Sequence, residues 1–370
     1  MKPTDCNKSQ QKERPSVCCP HGGDRGAAQA RWGIPADQFL DFSASINPLG
    51  PPSTAIQAIR ENLHRLEYYP EPAGLALKKA LAATLPMDED SIVLGNGSTE
   101  LIYLCAQMFC RHRIMVLAPG FSEYGQGVEN PGILRLALDL NGMRLPLAEI
   151  AENLAAGDLL FVNNPNNPTA NLFPREELLQ LVALVNDRQA RLVIDESFID
   201  FVEDRSASLR DVSGQDGLII LGSLTKFFAL PGLRIGYALS SQANIQKMEN
   251  RLPPWRINAL ALLAGEAAVR DQDYIKMTHQ LINAERAFLA DGLSRIKGLQ
   301  VYPSQANFIL IDARGRDVTA ADLQAKLGPE GILIRDCSDF YHLSPYHVRL
   351  AVRSRGENEI LLKTLGKVFD

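Results

Sequence analysis

The chain has 370 residues, which is long for one hydrophobic core, so two lobes are expected. Composition is that of an ordinary globular protein, 46% hydrophobic and 22% charged, and a net charge of -5 leaves no basic footprint for nucleic acid. No apolar run approaches the length of a membrane span, and no apolar core follows the N-terminal lysine, so neither a membrane protein nor a secretory leader is expected; a reduced, cytoplasmic enzyme is.

Residues 1 to about 20 are polar and irregular and read as a loose tail. Cys18-Cys19-Pro20-His21 offers ligand types, but no second Cys/His pair stands at zinc spacing, so no metal site is expected. Cys105 and Cys110 sit in an apolar helical run and read as packed thiols. His21-Gly22-Gly23 permits either a tight turn near a ligand or a hinge, and the sequence does not choose between them. Leu40 to Phe42 is a short apolar segment. It leads into Ser45-Ile46-Asn47-Pro48-Leu49-Gly50-Pro51-Pro52, a loop that can be neither helix nor central strand. Pro48 holds Asn47 extended. Helices over 54–66 and 74–85 flank Tyr68-Tyr69-Pro70-Glu71-Pro72.

From Ser91 onward, strands and helices alternate. Strand 91–94 runs into Gly95-Asn96-Gly97-Ser98-Thr99-Glu100 and a helix over 101–109. Glycines there let the backbone approach an anion, and the helix start offers free N–H groups. Ser98 and Thr99 suit capping as well as binding, so a capped turn without a ligand explains the motif equally well. Strand 114–117 ends at Pro119-Gly120-Phe121-Ser122-Glu123-Tyr124, where an aromatic is placed to stack on a flat ring. After strands 133–138 and 158–163 comes a double Asn-Pro loop, Asn163 to Thr169, and a helix over 175–186. Buried strand 190–194 closes with Asp195-Glu196-Ser197-Phe198. An acid in that position needs a cationic partner, and a protonated pyridine nitrogen would serve.

Strand 218–221 delivers Ser223-Leu224-Thr225-Lys226, with Arg234 and strand 236–238 beyond. A lysine ending a buried strand is costly unless it is paired or covalently used, and a desolvated amine attacks carbonyls. Flanked by a hydroxyl at Ser223 and a guanidinium at Arg234, it suits a phosphate that carries an aldehyde, which describes pyridoxal phosphate. The whole alternation, 92 to 238, reads as an α/β domain with a mostly parallel sheet that binds ligands at the carboxyl ends of its strands. Past Pro253-Pro254, helices over 258–270, 274–296, 320–327 and 358–368 combine with strands over 299–302, 307–311, 332–335 and 348–352 in a smaller α+β lobe. The expected division is an arm at 1–38, a large domain at 39–255 and a small domain at 256–370, with 39–70 contributing in part to the small domain and to dimer contacts. Arg335 and Arg349, on separate strands of the small lobe, read either as surface charges or as a bidentate grip on anions.

Taken in order, over about residues 40 to 370, these motifs resemble the fold-type I pyridoxal-phosphate enzymes of the class I/II aminotransferase superfamily. The resemblance implies an aspartate aminotransferase-like fold and pyridoxal 5'-phosphate as cofactor. It implies that Lys226 binds the cofactor aldehyde, that Asp195 pairs with the pyridine nitrogen, that Asn167 bonds the ring oxygen and that Phe121 stacks on the ring. Ser98, Thr99, Ser223 and Arg234 would hold the cofactor phosphate. Tyr69 would reach that phosphate across a homodimer with shared active sites. Within the superfamily the chain looks like the histidinol-phosphate aminotransferase group. Inside that group it is more similar to the enzymes that decarboxylate L-threonine O-3-phosphate for cobalamin biosynthesis, on His21-Gly22-Gly23, the loop from Ser45 to Pro52, Pro-Gly-Phe-Ser-Glu-Tyr and Asp-Glu-Ser-Phe. Its substrate would then be a phosphorylated amino acid held by His21, Asn47, Arg335 and Arg349, with phosphothreonine and phosphoserine both open and a histidinol-phosphate transaminase as the alternative. Two positions depart from the superfamily pattern: Ala170 stands where glycine follows Asn-Pro-Thr, and Phe198 stands where a tyrosine hydroxyl is usual.

Overall fold

The structure is a computed structural model and describes residues 21–85, 87–129 and 131–369. The tail expected up to Pro20, with Cys6, Cys18 and Cys19, lies outside the described residues. Thirteen strands occur among the described residues: β1 Leu40–Asp41, β2 Ile92–Gly95, β3 Ile114–Ala118, β4 Ile133–Ala137, β5 Leu159–Asn163, β6 Arg191–Asp195, β7 Leu218–Ser223, β8 Gly236–Leu239, β9 Gln300–Val301, β10 Phe308–Asp312, β11 Ile332–Leu333, β12 Arg335–Asp336 and β13 His347–Ala351.

Seven of them form one sheet in the order β2-β8-β7-β6-β5-β3-β4. Only β8 runs against its neighbours; the pairings from β7 through β4 are all parallel. Parallel strands covered on both faces should read as continuous apolar runs, and these do. Along β5 to β7, Leu160, Val162, Leu192, Ile194 and Ile220 pack on one side, while Leu159, Phe161, Val193, Ile219 and Leu221 pack on the other. One face is covered by the helix Ser98–Phe109, through Leu101, Ile102 and Cys105. The other is covered by Arg175–Asp187, through Leu178, Leu181 and Val185. With their carboxyl ends on one edge, β2, β3, β5, β6 and β7 bring Gly97, Phe121, Asn163, Asp195 and Lys226 to the same side of the sheet.

A second, antiparallel sheet runs β12-β13-β10-β9. The helix Gln272–Ser294 joins the two. Its first turns meet the large sheet's lysine segment, where Tyr274 donates to the carbonyls of Gly50 and Phe227, and Ile282, Leu289 and Leu293 sit in the core. The segment expected as one strand over 332–335 divides at Ile334. Ile332 and Leu333 pair parallel with Leu40 and Asp41, whereas Arg335 and Asp336 pair with β13. Residues 25–38, expected only as an arm, contain the helix Arg25–Trp32. Asp24 caps its start and Gly33, left-handed at φ 71°, ends it; Trp32 lies against Gly328 and Phe39. Ala28 is its single buried residue, so no apolar stripe announced it.

Candidate functional site

A cavity of about 320 Å3 opens where the carboxyl edge of the large sheet faces the second sheet. Lys226 lines it from the short helix Leu224–Phe227, which directly continues β7 and is capped by the Ser223 hydroxyl. Burial is the main cause that brings the Lys226 amine down from 10.5 to about 8; the Arg349 and Arg234 charges add to it, and Asp195 opposes them. A larger cavity, about 800 Å3, borders the same helix through Leu224 and Phe227, but neither Lys226 nor Asp195 lines it.

Asp195 ends β6 and is buried. Burial raises its carboxyl above 3.8, and the bonds from Ser197 and Tyr124 work against that rise. The Tyr124 hydroxyl donates to Oδ2 at 2.8 Å, and the Ser197 amide to Oδ1 at 2.9 Å. Tyr124 is itself fixed by stacking on Phe161, ring centres 4.9 Å apart. Asn163, at the end of β5, bonds the Asp195 carbonyl through its amide nitrogen and accepts from the Asn167 amide through its oxygen. That bridge seats the loop whose Asn164–Pro165 and Asn167–Pro168 bonds are cis. Ala170 follows it at φ 60°, a left-handed conformation that favours glycine, held by bonds from its amide to Asn166 and from Gln305 to its carbonyl.

On the β2 side, Gly97 has φ 82°, and a Cβ there would stand 2.4 Å from the Arg234 guanidinium. Backbone and guanidinium therefore approach as closely as only glycine permits. Ser98 and Thr99 line the cavity at the first turn of the helix Ser98–Phe109, where N–H groups have no intrahelical partner. Among the described residues, the Arg234 guanidinium donates to the Pro231 carbonyl alone, at 3.3 Å.

From the second sheet, Arg335 and Arg349 enter as directly opposed residues of β12 and β13. Arg349 is buried, donates to the Asn167 side-chain oxygen and to the Ser43 carbonyl, and keeps an Nε with no partner among the described residues. Burial is the largest cause lowering its guanidinium to about 10. Arg335 is bound at both carboxylate oxygens of Asp339, at 2.9 and 2.7 Å. His21 stands at the rim, bonding Glu123 at 2.9 Å, and Glu123 also accepts from Tyr103. The close approach that the two glycines after His21 permit is realised at Gly22, where a Cβ would lie 2.1 Å from the Ser43 carbonyl.

The cavity thus brings together Lys226, Asp195, Asn167, Phe121, Ser98, Thr99, Arg234, His21, Arg335 and Arg349. Three expected site residues lie elsewhere. Asn47 does not face the cavity: its amide nitrogen is consumed by the Phe227 carbonyl and Thr278 Oγ, both at 2.8 Å, and its backbone N–H bonds the Lys226 carbonyl. A buried amide in a proline-rich loop is as well used pinning backbone as binding a ligand, and the sequence does not separate the two. Ser223 is 1% exposed, behind the cavity wall, and its hydroxyl is taken up with Thr225. Tyr69 is 82% exposed and rests on Trp255. Tyr124, Ser197, Asn163, Thr225, Ser45 and Asp339 were not anticipated. Tyr124 and Ser197 stand inside quoted motifs, but only the fold shows that they reach Asp195.

A doubly covered, mostly parallel sheet with a half-buried lysine and a buried carboxylate at one strand edge, facing an arginine pair from a second sheet, defines an α/β enzyme with a cofactor cleft. The chain belongs to the aminotransferase class I and II family, whose model matches residues 37–365. It is 38% identical to threonine-phosphate decarboxylase of Salmonella typhimurium over 94% of this chain and 96% of that one. It is 32% identical to an adenosylcobalamin biosynthesis bifunctional protein of Leptospira interrogans, over 94% of this chain and 41% of that one. In structure it is similar to histidinol-phosphate aminotransferase from Clostridium acetobutylicum, with TM-score 0.83, 30% identity and coverage of 88% of this chain and 98% of that one. The fold is the aspartate aminotransferase-like one expected.

Proposed function

We propose that the protein is a pyridoxal-phosphate-dependent carboxy-lyase that converts L-threonine O-3-phosphate to aminopropanol phosphate, or phosphoserine to ethanolamine phosphate, for cobalamin biosynthesis. The observation that carries this reading is the arginine pair: two guanidiniums, directly opposed on β12 and β13, face Lys226 across one cavity. A substrate with both a carboxylate and a phosphate supplies two anions for them; histidinol phosphate supplies one, and in a transaminase only the keto acid of the second half-reaction would supply two. The 38% identity to a threonine-phosphate decarboxylase supports the same choice.

The residues present fit the cofactor on chemical grounds. Lys226 would receive its aldehyde, Asp195 its ring nitrogen, Asn167 its ring oxygen and Phe121 its ring face. Its phosphate would lie at Ser98, Thr99 and Arg234, where the glycine at 97 leaves only backbone beside the guanidinium. Two buried polar atoms at the cavity, Ser45 Oγ and Arg349 Nε, lack partners among the described residues and suit a bound ligand. When bound, the cofactor supplies an electron sink for whichever Cα bond stands perpendicular to its ring.

The chain's own groups choose that bond. His21, Arg335 and Arg349 would fix the substrate's anions and turn the carboxylate out of the ring plane, the orientation that decarboxylation needs. Lys226, with an amine near 8, is suited to return a proton to Cα once CO2 has left. Phe198, packed edge-on against Phe308 at 4.9 Å, brings no hydroxyl to the cavity, so one proton-handling group usual in transaminases is missing. The two candidate substrates differ by one methyl, worth about 1–3 kcal/mol in a pocket.

The reading extends to the assembly. The exposed apolar side chains Leu63, Leu66, Tyr68, Tyr69 and Trp255 fit a homodimer interface, across which Tyr69 would reach the partner's cofactor phosphate. A boundary near residue 255 separates the two lobes. No helix among the described residues is long and apolar enough to cross a membrane, and the free thiols Cys105, Cys110 and Cys337 accord with a reducing cytoplasm.

The deciding experiment incubates the cofactor-loaded protein with phosphothreonine, phosphoserine and histidinol phosphate, each with and without 2-oxoglutarate. CO2 release without a keto acid is expected. Amine transfer that depends on the keto acid would establish the transaminase instead.

A further inference from the structure

Lys226, Arg234, Arg335 and Arg349 suit the cavity to anions, yet two acids line it among the described residues, Asp195 and Glu123. The cofactor's ring nitrogen accounts for Asp195 but not for Glu123, and on charge alone a carboxylate there weakens the binding of an anionic substrate. Both Glu123 oxygens are engaged. Oε2 accepts from the Tyr103 hydroxyl at 2.7 Å, and Tyr103 belongs to the helix Ser98–Phe109, whose first turn lines the same cavity. Oε1 accepts from His21 Nε2 at 2.9 Å. A carboxylate only accepts, so the hydrogen of that bond is on Nε2. Nδ1, which makes no hydrogen bond among the described residues, is the nitrogen left for a ligand. The imidazole also lies against Phe121, ring centres 5.6 Å apart. Its neighbouring backbone is pinned separately, by the Gly23 amide on Ser43 Oγ at 2.9 Å. The bond to Glu123 therefore sets the torsions of a side chain that is 38% exposed, from a carboxylate that is 17% exposed.

We infer that Glu123 is a positioning residue: it holds the His21 imidazole at the cavity rim with Nδ1 presented to the substrate phosphate, and it acts through His21 without touching substrate. The inference rests on the proposed reading of His21 as a ligand of a phosphorylated amino acid. Nδ1 donates to a phosphate oxygen when the ring is protonated and accepts from a singly protonated phosphate when it is not, and the bond to Glu123 fixes the ring in both cases. A side chain ordered before binding spares the complex that ordering, which is worth about two- to tenfold in affinity. Charge and position predict opposite signs. If Glu123 contributed charge alone, its removal would relieve a repulsion and tighten anion binding. If it positions His21, its removal frees the imidazole and loosens binding.

The test uses cofactor-loaded wild type, Glu123→Ala and Glu123→Gln, each also combined with His21→Ala. It measures the dissociation constant of phosphothreonine from the change in cofactor absorbance, and kcat and KM from CO2 release. Glu123→Ala should weaken phosphothreonine binding by about fivefold, with the larger part of the kinetic change in KM. Glu123→Gln keeps an acceptor oxygen at the same reach, and the Tyr103 hydroxyl can turn to accept from its amide, so binding should stay within about twofold of wild type. In the His21→Ala background, Glu123→Ala should weaken binding no further, because the group it positions is gone. Should Glu123→Ala fail to fold, Glu123→Asp, one methylene short of His21, carries the same expectations. Unchanged or tighter binding in Glu123→Ala, or the same fivefold loss with and without His21, overturns the inference and leaves the decarboxylase reading in place. Phosphothreonine binding that follows the expected pattern without CO2 release overturns the decarboxylase reading alone.

Discussion

Tyr124 and Ser197 together set the charge on Asp195. Both donate to its carboxylate and oppose the rise that burial causes. Pairing with a protonated ring nitrogen needs the ionised form, which is present above the carboxyl's own titration. Removing one donor moves that titration upward. Tyr124→Phe should therefore shift the acid limb of the pH–activity profile to higher pH and weaken cofactor affinity by about tenfold, the scale of one hydrogen bond to a charged group. A cofactor titration followed by absorbance, with a pH profile, checks both; an unmoved acid limb would remove Tyr124 from that role. Lys226 gives a second handle. Its folded value of about 8 lies below 10.5, so between those pH values the unfolded chain holds the proton more tightly. Stability of the cofactor-free protein should rise with pH across that window through this group. Lys226→Met should be more stable than wild type at pH 7, by on the order of 1 kcal/mol, with the difference gone above pH 10.5. Denaturant melts at pH 7 and pH 10.5 measure it.

At the scale of elements, the loop from Ser45 to Pro52 and the helix Leu224–Phe227 form one unit. Asn47 ties them, through its amide to the Phe227 carbonyl and through its backbone to the Lys226 carbonyl, and Thr278 brings in the long helix Gln272–Ser294. Asn47→Ala removes the donor to Thr278 Oγ and one of two donors to the Phe227 carbonyl, which keeps Tyr274; the loss costs about 1–3 kcal/mol. The expected result is a lowered melting temperature, with KM for phosphothreonine affected no more than kcat. A selective rise in KM on an unchanged melting temperature would return Asn47 to the substrate site. Arg335–Asp336 carries a similar lesson. As an apolar run, 332–335 reads as one strand; its division between two sheets follows from what each end pairs with, Leu40–Asp41 on one side and β13 on the other.

For the whole molecule, the proposed dimer makes each active site a product of two chains. Mixing Lys226→Ala with Tyr69→Ala, each inactive or nearly so alone, should then recover activity. In a mixed dimer one site carries both changes and the other carries neither. Random reassortment puts recovery at about a quarter of wild-type turnover per chain. No recovery, with sedimentation showing that dimers have exchanged, would confine each site to one chain and leave Tyr69 as a surface residue stacked on Trp255.

Much of the fold was legible because its strands are buried on both faces and punctuated by glycine, proline and asparagine. Strand runs at 92, 114, 159, 191 and 218 and the capped helix from Ala320 stand where apolar runs and caps placed them. Lys226 and Asp195 draw notice for the same reason, since each follows or closes such a run and a polar group there needs a purpose, whereas Asn167 is marked only by the family resemblance. Exposed or weakly amphipathic elements, such as Arg25–Trp32 and Gln242–Glu249, were not legible, because little apolar surface marks them. By itself the sequence determined which residues carry charge or hydroxyls at strand ends, since local burial and turn chemistry dictate that. Only the tertiary structure decided which of them meet: that Tyr124 reaches Asp195 across three strands, that Asn47 turns inward, and that Arg335 arrives already held by Asp339. Such pairings depend on register and on the packing of distant segments, which no local pattern encodes.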